Sequence, residues 1–159
     1  MSADMHIETN TISFKIEQSI ELKCDIISIF VDNVNLIQLL KQYEVQFDRK
    51  IAGGYEGLAA NSIYNLEKHF LGQLDENDLY NVEGKVILLD CNCGTPECWP
   101  MLVHITTLED HIVWSDFEQP HRREDSPGGY WDYSNFKALQ FDRGQYMREL
   151  QSLKAQLNP

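Results

Sequence analysis

The stretch from Gly84 to Phe141 does most to constrain the fold of this chain. It opens on the apolar run Val86-Ile-Leu-Leu89, passes through Cys91-Asn-Cys-Gly-Thr-Pro-Glu-Cys98, and resumes at Pro100. Met101, Val103, Ile105 and Thr107 then alternate with Leu102, His104 and Thr106. After the turn Leu108-Glu-Asp-His111, residues 112–117 form a returning run. Such alternation is the period of a strand with one buried face, and so short a turn leaves no room for a crossover, so these runs must pair antiparallel. The geometry has a consequence. The strand ending at the cysteines and the strand leaving them share one end, and Glu109–Asp110 lies at the other. The returning strand carries Asp116, His121, Arg122 and Arg123 back to the cysteine end and leaves His111 far away. Tyr130, Trp131 and Asp132 can close over that same end.

The remaining segments supply partners for these strands. Residues 1–10 read as a loose polar lead-in. Ile12, Phe14 and Ile16 mark a half-buried strand, followed by a turn near Gln18–Ser19. Ile20, Leu22, Cys24 and Ile26 keep the apolar parity, with Cys24 read as a small core residue. From Ile26 to Val31 the run is nearly continuous, as in a strand buried on both faces. Asn35 is a helix N-cap with Gln38 in capping-box position, and Val34 with Leu39 forms a staple. Leu36, Leu39, Leu40 and Tyr43 make the buried stripe of a helix ending near Tyr43–Glu44. Residues 51–58 form a glycine-punctuated loop that lacks the register of a phosphate-binding loop. Ile63, Leu66, Phe70 and Leu74 are spaced as a second helix, stopped by Gly72. Leu74 to Glu83 is an acidic connector. Lys137 to Phe141 can form a last strand. Asp142 caps a closing helix with Gln145 at N3, a Phe141–Tyr146 staple, and a stripe of Tyr146, Leu150, Leu153 and Leu157. The order predicts a single α+β domain over residues 1–159: a mainly antiparallel sheet of about five to seven strands, with two or three helices on one face.

Composition narrows the function. At 159 residues and 43% hydrophobic content, the chain can bury roughly 70% of its unfolded surface in one core. Its formal charge of −12 repels phosphate backbones and anionic membranes and favours a basic protein partner. The polar start Met-Ser-Ala-Asp-Met-His has no apolar leader, and no apolar run reaches a membrane span. The expectation is a cytoplasmic protein whose cysteines are thiols or metal ligands rather than disulfides.

Cys91, Cys93 and Cys98 form the pattern C-x-C-x4-C. Three thiolates within eight residues can coordinate zinc, with His121 completing a tetrahedron. C-x-C is a less usual chelating step than C-x2-C, and the plain alternative is a tight turn with ordinary thiols. A nucleophilic arrangement of Cys98, His121 and Asp116 is a further reading, without any catalytic motif to support it. His121-Arg122-Arg123 is the sharpest cationic cluster and suits an anion or partner contact, against internal pairing with Glu124, Asp125 or the acidic connector. Trp99 and Trp131 lie at loop edges and offer a recognition patch, with core packing as the competing role, while Trp114 reads as core.

Cys91-Asn-Cys-Gly94, Cys98-Trp99-Pro100, Trp114-Ser-Asp-Phe117, Pro120-His-Arg122, Trp131-Asp-Tyr133 and Phe141-Asp-Arg143 with Gln145-Tyr146 form a set. As a set they resemble a family of small, uncharacterised bacterial proteins. The resemblance covers about residues 84–150 and implies a bacterial cytoplasmic protein, with no activity, cofactor or site attached. Two functional expectations follow. One is a non-catalytic module that docks on a basic partner, in the manner of small acidic toxin-neutralising immunity proteins. The other is a small zinc- or thiol-dependent enzyme, or metal-binding protein, centred on Cys91, Cys93, Cys98 and His121.

Overall fold

The computed structural model describes residues 8–20, 22–93 and 98–157. Its strands divide between two antiparallel sheets. The smaller is built on the hairpin of β1 (Ile12–Ser19) and β2 (Cys24–Val31), which pair from Ile12 opposite Val31 to Ser19 opposite Cys24. The pairing runs through to Ser19 opposite Cys24, so the chain reverses after Ser19, later than the turn near Gln18–Ser19 that the sequence suggests. Ile20 therefore swings out to 91% exposure instead of continuing the apolar parity. Cys24 ends half-exposed at the strand's start. β3 (Val34–Asn35) adds to the far end of β2 and leads into α1 (Leu36–Glu44). Asn35 caps α1 as expected, but its Oδ1 accepts from the Ile37 amide at 2.8 Å, and Gln38 stays exposed.

The chain then changes sheet within five residues. β4 (Tyr55–Glu56) joins the larger sheet, and β5 (Leu58–Ala59) pairs with β2 in the smaller. Gly57 is the crossing point: a Cβ there would stand 2.4 Å from the Ile27 carbonyl oxygen, so only glycine lets the two backbones meet. A short 3-10 turn (Ala60–Ser62) and α2 (Leu66–Phe70) follow. Asn65 caps α2, and the chain turns out of it at Gly72. β6 (Asn81–Val82) pairs with β7 (Lys85–Cys91).

The larger sheet runs in the order β10-β9-β8-β7-β4, with β8 (Met101–Thr107), β9 (His111–Glu118) and β10 (Leu139–Asp142). Both expected reversals are present: β7 with β8, and β8 with β9. Each pair carries a register shift, and Asp116 (φ 54) sits at the second. A bulge there bends β9 before its chain reaches the cysteine end.

α3 (Arg143–Leu157) closes the fold. Asp142 accepts from the Gln145 amide at 2.9 Å, the expected cap. The Gln145 side chain does not reach back along its own helix. It donates to the Ile12 carbonyl at 2.7 Å and accepts from the Ile12 amide at 3.1 Å, satisfying the start of β1. Tyr146, one residue on, ties the core together. Its ring lies against Phe14, Trp114 and Phe141, and its hydroxyl donates to the Phe70 carbonyl at 2.5 Å while accepting from the Trp114 indole at 3.2 Å. One hydrophobic cluster thus joins residues of both sheets and all three described helices. The class is α+β, with the strands shared between two sheets of four and six.

Candidate metal centre

The three cysteines lie at the end of the larger sheet where β7 finishes and β8 begins. Cys91 is the last residue of β7 and is buried, while Cys93 and Cys98 are exposed. Their sulfurs all lie within 4.8 Å of one another. A tetrahedral zinc with bonds of about 2.3 Å needs sulfurs about 3.8 Å apart. The observed spread therefore has to contract by no more than about an ångström. The Cys93 amide donates to the Cys91 sulfur at 3.3 Å, a contact that favours sulfur in its anionic, metal-binding form. Without a metal, burial pushes the Cys91 thiol up to about 12, and the neighbouring thiols of Cys93 and Cys98 reinforce the rise. Cys91 is thus a protonated, unreactive thiol until a cation replaces its proton. Residues 94–97, the turn expected between the cysteines, lie outside the described residues.

The ends of this loop are held tightly. Tyr55 is the cross-strand neighbour of Cys91, and the Asn92 amide donates to the Gly54 carbonyl at 3.3 Å. On the other side, the buried Gln119 donates to the Pro100 carbonyl at 3.0 Å and accepts from the His121 amide at 3.1 Å. His121 stacks on Trp99 with the rings 12° from parallel and centroids 6.0 Å apart. The imidazole is therefore on the same rim as the residue following Cys98, as the two reversals require. Arg122 lies over the same indole at 4.8 Å and over Trp131 at 5.7 Å, and it also donates to the His121 carbonyl. Gly128 closes on the other side of the guanidinium, where a Cβ would come within 2.5 Å of Cζ. Arg122 is thus a strut between tryptophans, worth about 1 kcal/mol in cation–π attraction.

The other expected contact residues are placed differently. Arg123 is paired with Glu118 at 2.6 Å and with Glu83 of the acidic connector at 3.4 Å, which is the internal role. Against the upward pull of burial, Lys85 and Arg123 together hold the Glu118 carboxyl below the usual carboxylate range. Trp131 is only 4% exposed and stacks on Phe47 at 5.4 Å, so it is core and not an open recognition residue. Trp99 is half-buried, and its enclosed indole nitrogen has no hydrogen-bond partner among the described residues. Asp116 lines a separate cavity of about 430 Å³ with Arg122, Arg123 and Tyr130, and none of the cysteines borders it.

Compared with protein-family models, curated proteins and solved structures, the chain matches none.

Across Tyr55 from Cys91 is a polar group that the sequence signals only by its place on a helix stripe. Glu44, the last residue of α1, is fully buried and enters none of the ion pairs among the described residues. One carboxylate oxygen accepts from the Tyr55 and Tyr133 hydroxyls, each at 2.5 Å, and the other from the Gly53 amide at 2.9 Å. Burial raises the Glu44 carboxyl above its ordinary value, and these three donors offset part of the rise. Gln119 also reaches the Tyr55 hydroxyl at 3.3 Å, so one amide side chain links the Glu44 cluster to Pro100 and His121. A signal existed: Glu44 continues the i, i+4 stripe of Leu36 and Leu40. An acid on a buried stripe marks an internal polar site.

Proposed function

We propose that this protein binds a soft divalent ion of the zinc class through the thiolates of Cys91, Cys93 and Cys98; the fourth position falls to His121 only after its ring moves in, since its nitrogens lie outside the group of donors within 4.8 Å. The observation that carries this reading is the convergence of the three sulfurs within 4.8 Å. The role is structural. Three thiolates and an imidazole make a closed, unreactive set, and the ion would lock the exposed loop onto the ends of β7 and β8. The Cys93 amide contact and the Trp99–His121 stack support it by holding two of the donors' segments in place beforehand. Elemental analysis of the untagged protein is expected to find about one zinc per chain, lost on Cys93→Ser. Protein that carries no metal, and takes up none from a zinc buffer, would rule the reading out.

A second reading is supported by the charge of −12: a non-catalytic module of the bacterial cytoplasm that docks on a basic protein, as acidic immunity proteins do. Among the described residues no helix is long and apolar enough to cross a membrane. Affinity capture from the native host is the test. A basic partner in stoichiometric amount supports this reading, and a solitary monomer counts against it.

A further inference from the structure

The second reading lacks a place on the molecule, and the segment Asn61–Asn65 provides one. Within it Tyr64 is 100% exposed, an unusual position for an aromatic ring in a folded chain. The ring stands on a ridge between two depressions. On one side is a cavity of about 800 Å³, bordered by Ile63, Leu66 and Leu157 with Cys24, Asp25 and Glu67. On the other is a cavity of about 240 Å³ bordered by Leu74, Asp78, Leu79 and Tyr80. Leu79 is 57% exposed there. The ridge therefore presents an aromatic and an aliphatic side chain beside a mainly polar recess and a smaller one with Leu74 and Leu79 in its wall. An exposed tyrosine with an aliphatic neighbour and a polar surround is the usual make-up of an interface anchor.

The surrounding charge specifies the partner. Glu67 is neutralised by Lys154 at 2.6 Å. Asp25, Asp75, Glu76 and Asp78 enter none of the ion pairs among the described residues; Lys23, two residues from Asp25, and Lys68 are the cations nearby in sequence. The connector from Leu74 to Glu83 holds no basic residue. A second copy of this chain would bring its own −12 charge against these carboxylates.

We infer that the Tyr64–Leu79 ridge is a docking surface for a basic protein segment. An apolar side chain of that segment would seat beside Tyr64, and its lysines or arginines would face Asp25, Asp75, Glu76 and Asp78. This inference rests on the docking reading and is independent of the thiol centre, which lies at the cysteine end of the larger sheet.

Amide chemical-shift mapping of the whole chain tests it. The probes are three twelve-residue peptides with a central leucine and net charges of +4, 0 and −4. The cationic peptide is expected to shift the amides of residues 61–65 and 74–80. Raising salt from 50 to 300 mM should weaken it severalfold, since the attraction is between exposed charges. Tyr64→Ala, which removes a ring that makes no core contact, should weaken it at least fivefold and leave the melting temperature unchanged. Shifts centred elsewhere would overturn this surface and leave the docking reading standing. No shifts with any peptide would overturn both. Equal shifts with all three peptides, or concentration-dependent self-association through the ridge, would overturn the basic partner.

Discussion

Glu44 shows how much one side chain can hold in place. It ties the end of α1 to Gly53, to Tyr55 beside Cys91, and to Tyr133 in the segment that covers Trp99. Glu44→Ala strands two buried hydroxyls and one amide, and the expected cost is about 3 kcal/mol, read as a lower urea midpoint. Glu44→Gln keeps acceptors for some of these donors and should cost less than half as much. Equal stability of the alanine variant and the parent would mean that the cluster is hydrated and not closed. The sequence places Glu44 correctly at the end of a helix. That it is buried could be read only from the parity of Leu36, Leu40 and Glu44, because its hydrogen-bond partners come from 9 to 89 residues away in the chain.

At the scale of elements, glycine decides where helices and sheets can meet. Gly72 ends α2 with φ +71, and a Cβ there would stand 2.4 Å from the Ile105 carbonyl oxygen in β8. Gly84, in the turn before β7, has φ +89 but nothing within 4 Å. Both should suffer on substitution by alanine through the left-handed backbone, at about 1 kcal/mol. Only Gly72→Ala must also push α2 away from β8, for a total of about 3 kcal/mol or more. Thermal melts of the two variants separate the terms. Equal losses would show that the α2–β8 approach is soft. The caps at Asn35 and Asp142, the stop at Gly72 and both hairpin reversals were legible in the sequence because each depends on a few neighbouring residues. The place where β1 turns into β2 and the capture of Ile12 by Gln145 were not: the first depends on the register of the whole strand pair, and the second joins residues 133 apart.

For the molecule as a whole, two buried groups set opposing dependences on pH. Burial pulls His69 down to about 4 from 6.5, so its contribution is complete above pH 6.5 and is lost as the pH falls towards 4. Burial raises Asp90 to about 6 from 3.8, so its ionisation cost applies above pH 6 and is relieved as the pH falls towards 3.8. Each displacement is worth about 3 kcal/mol, with opposite signs over nearly the same window. These two contributions should therefore nearly cancel between pH 6.5 and 4, which leaves the parent's dependence there to its other carboxyls, Glu44 and Glu118 among them. Asp90→Asn removes one side of the balance. That variant should be more stable than the parent at pH 7.5 and should lose about 3 kcal/mol more than the parent on acidification to pH 4, by urea unfolding at each pH. Parallel curves for the two proteins would refute the compensation.

Residue order alone was enough to predict antiparallel strands, capped helices and a shared rim for the thiols and the His-Arg pair, since alternation, turn length and cap chemistry act over a few residues. The approach of three sulfurs to within 4.8 Å, the withdrawal of Trp131 into the core and the emergence of Tyr64 between two cavities required the assembled chain. Those outcomes depend on which distant surfaces pack together. Packing is governed by volume and by the pairing of buried polar groups across the whole molecule, and no short stretch of sequence encodes either.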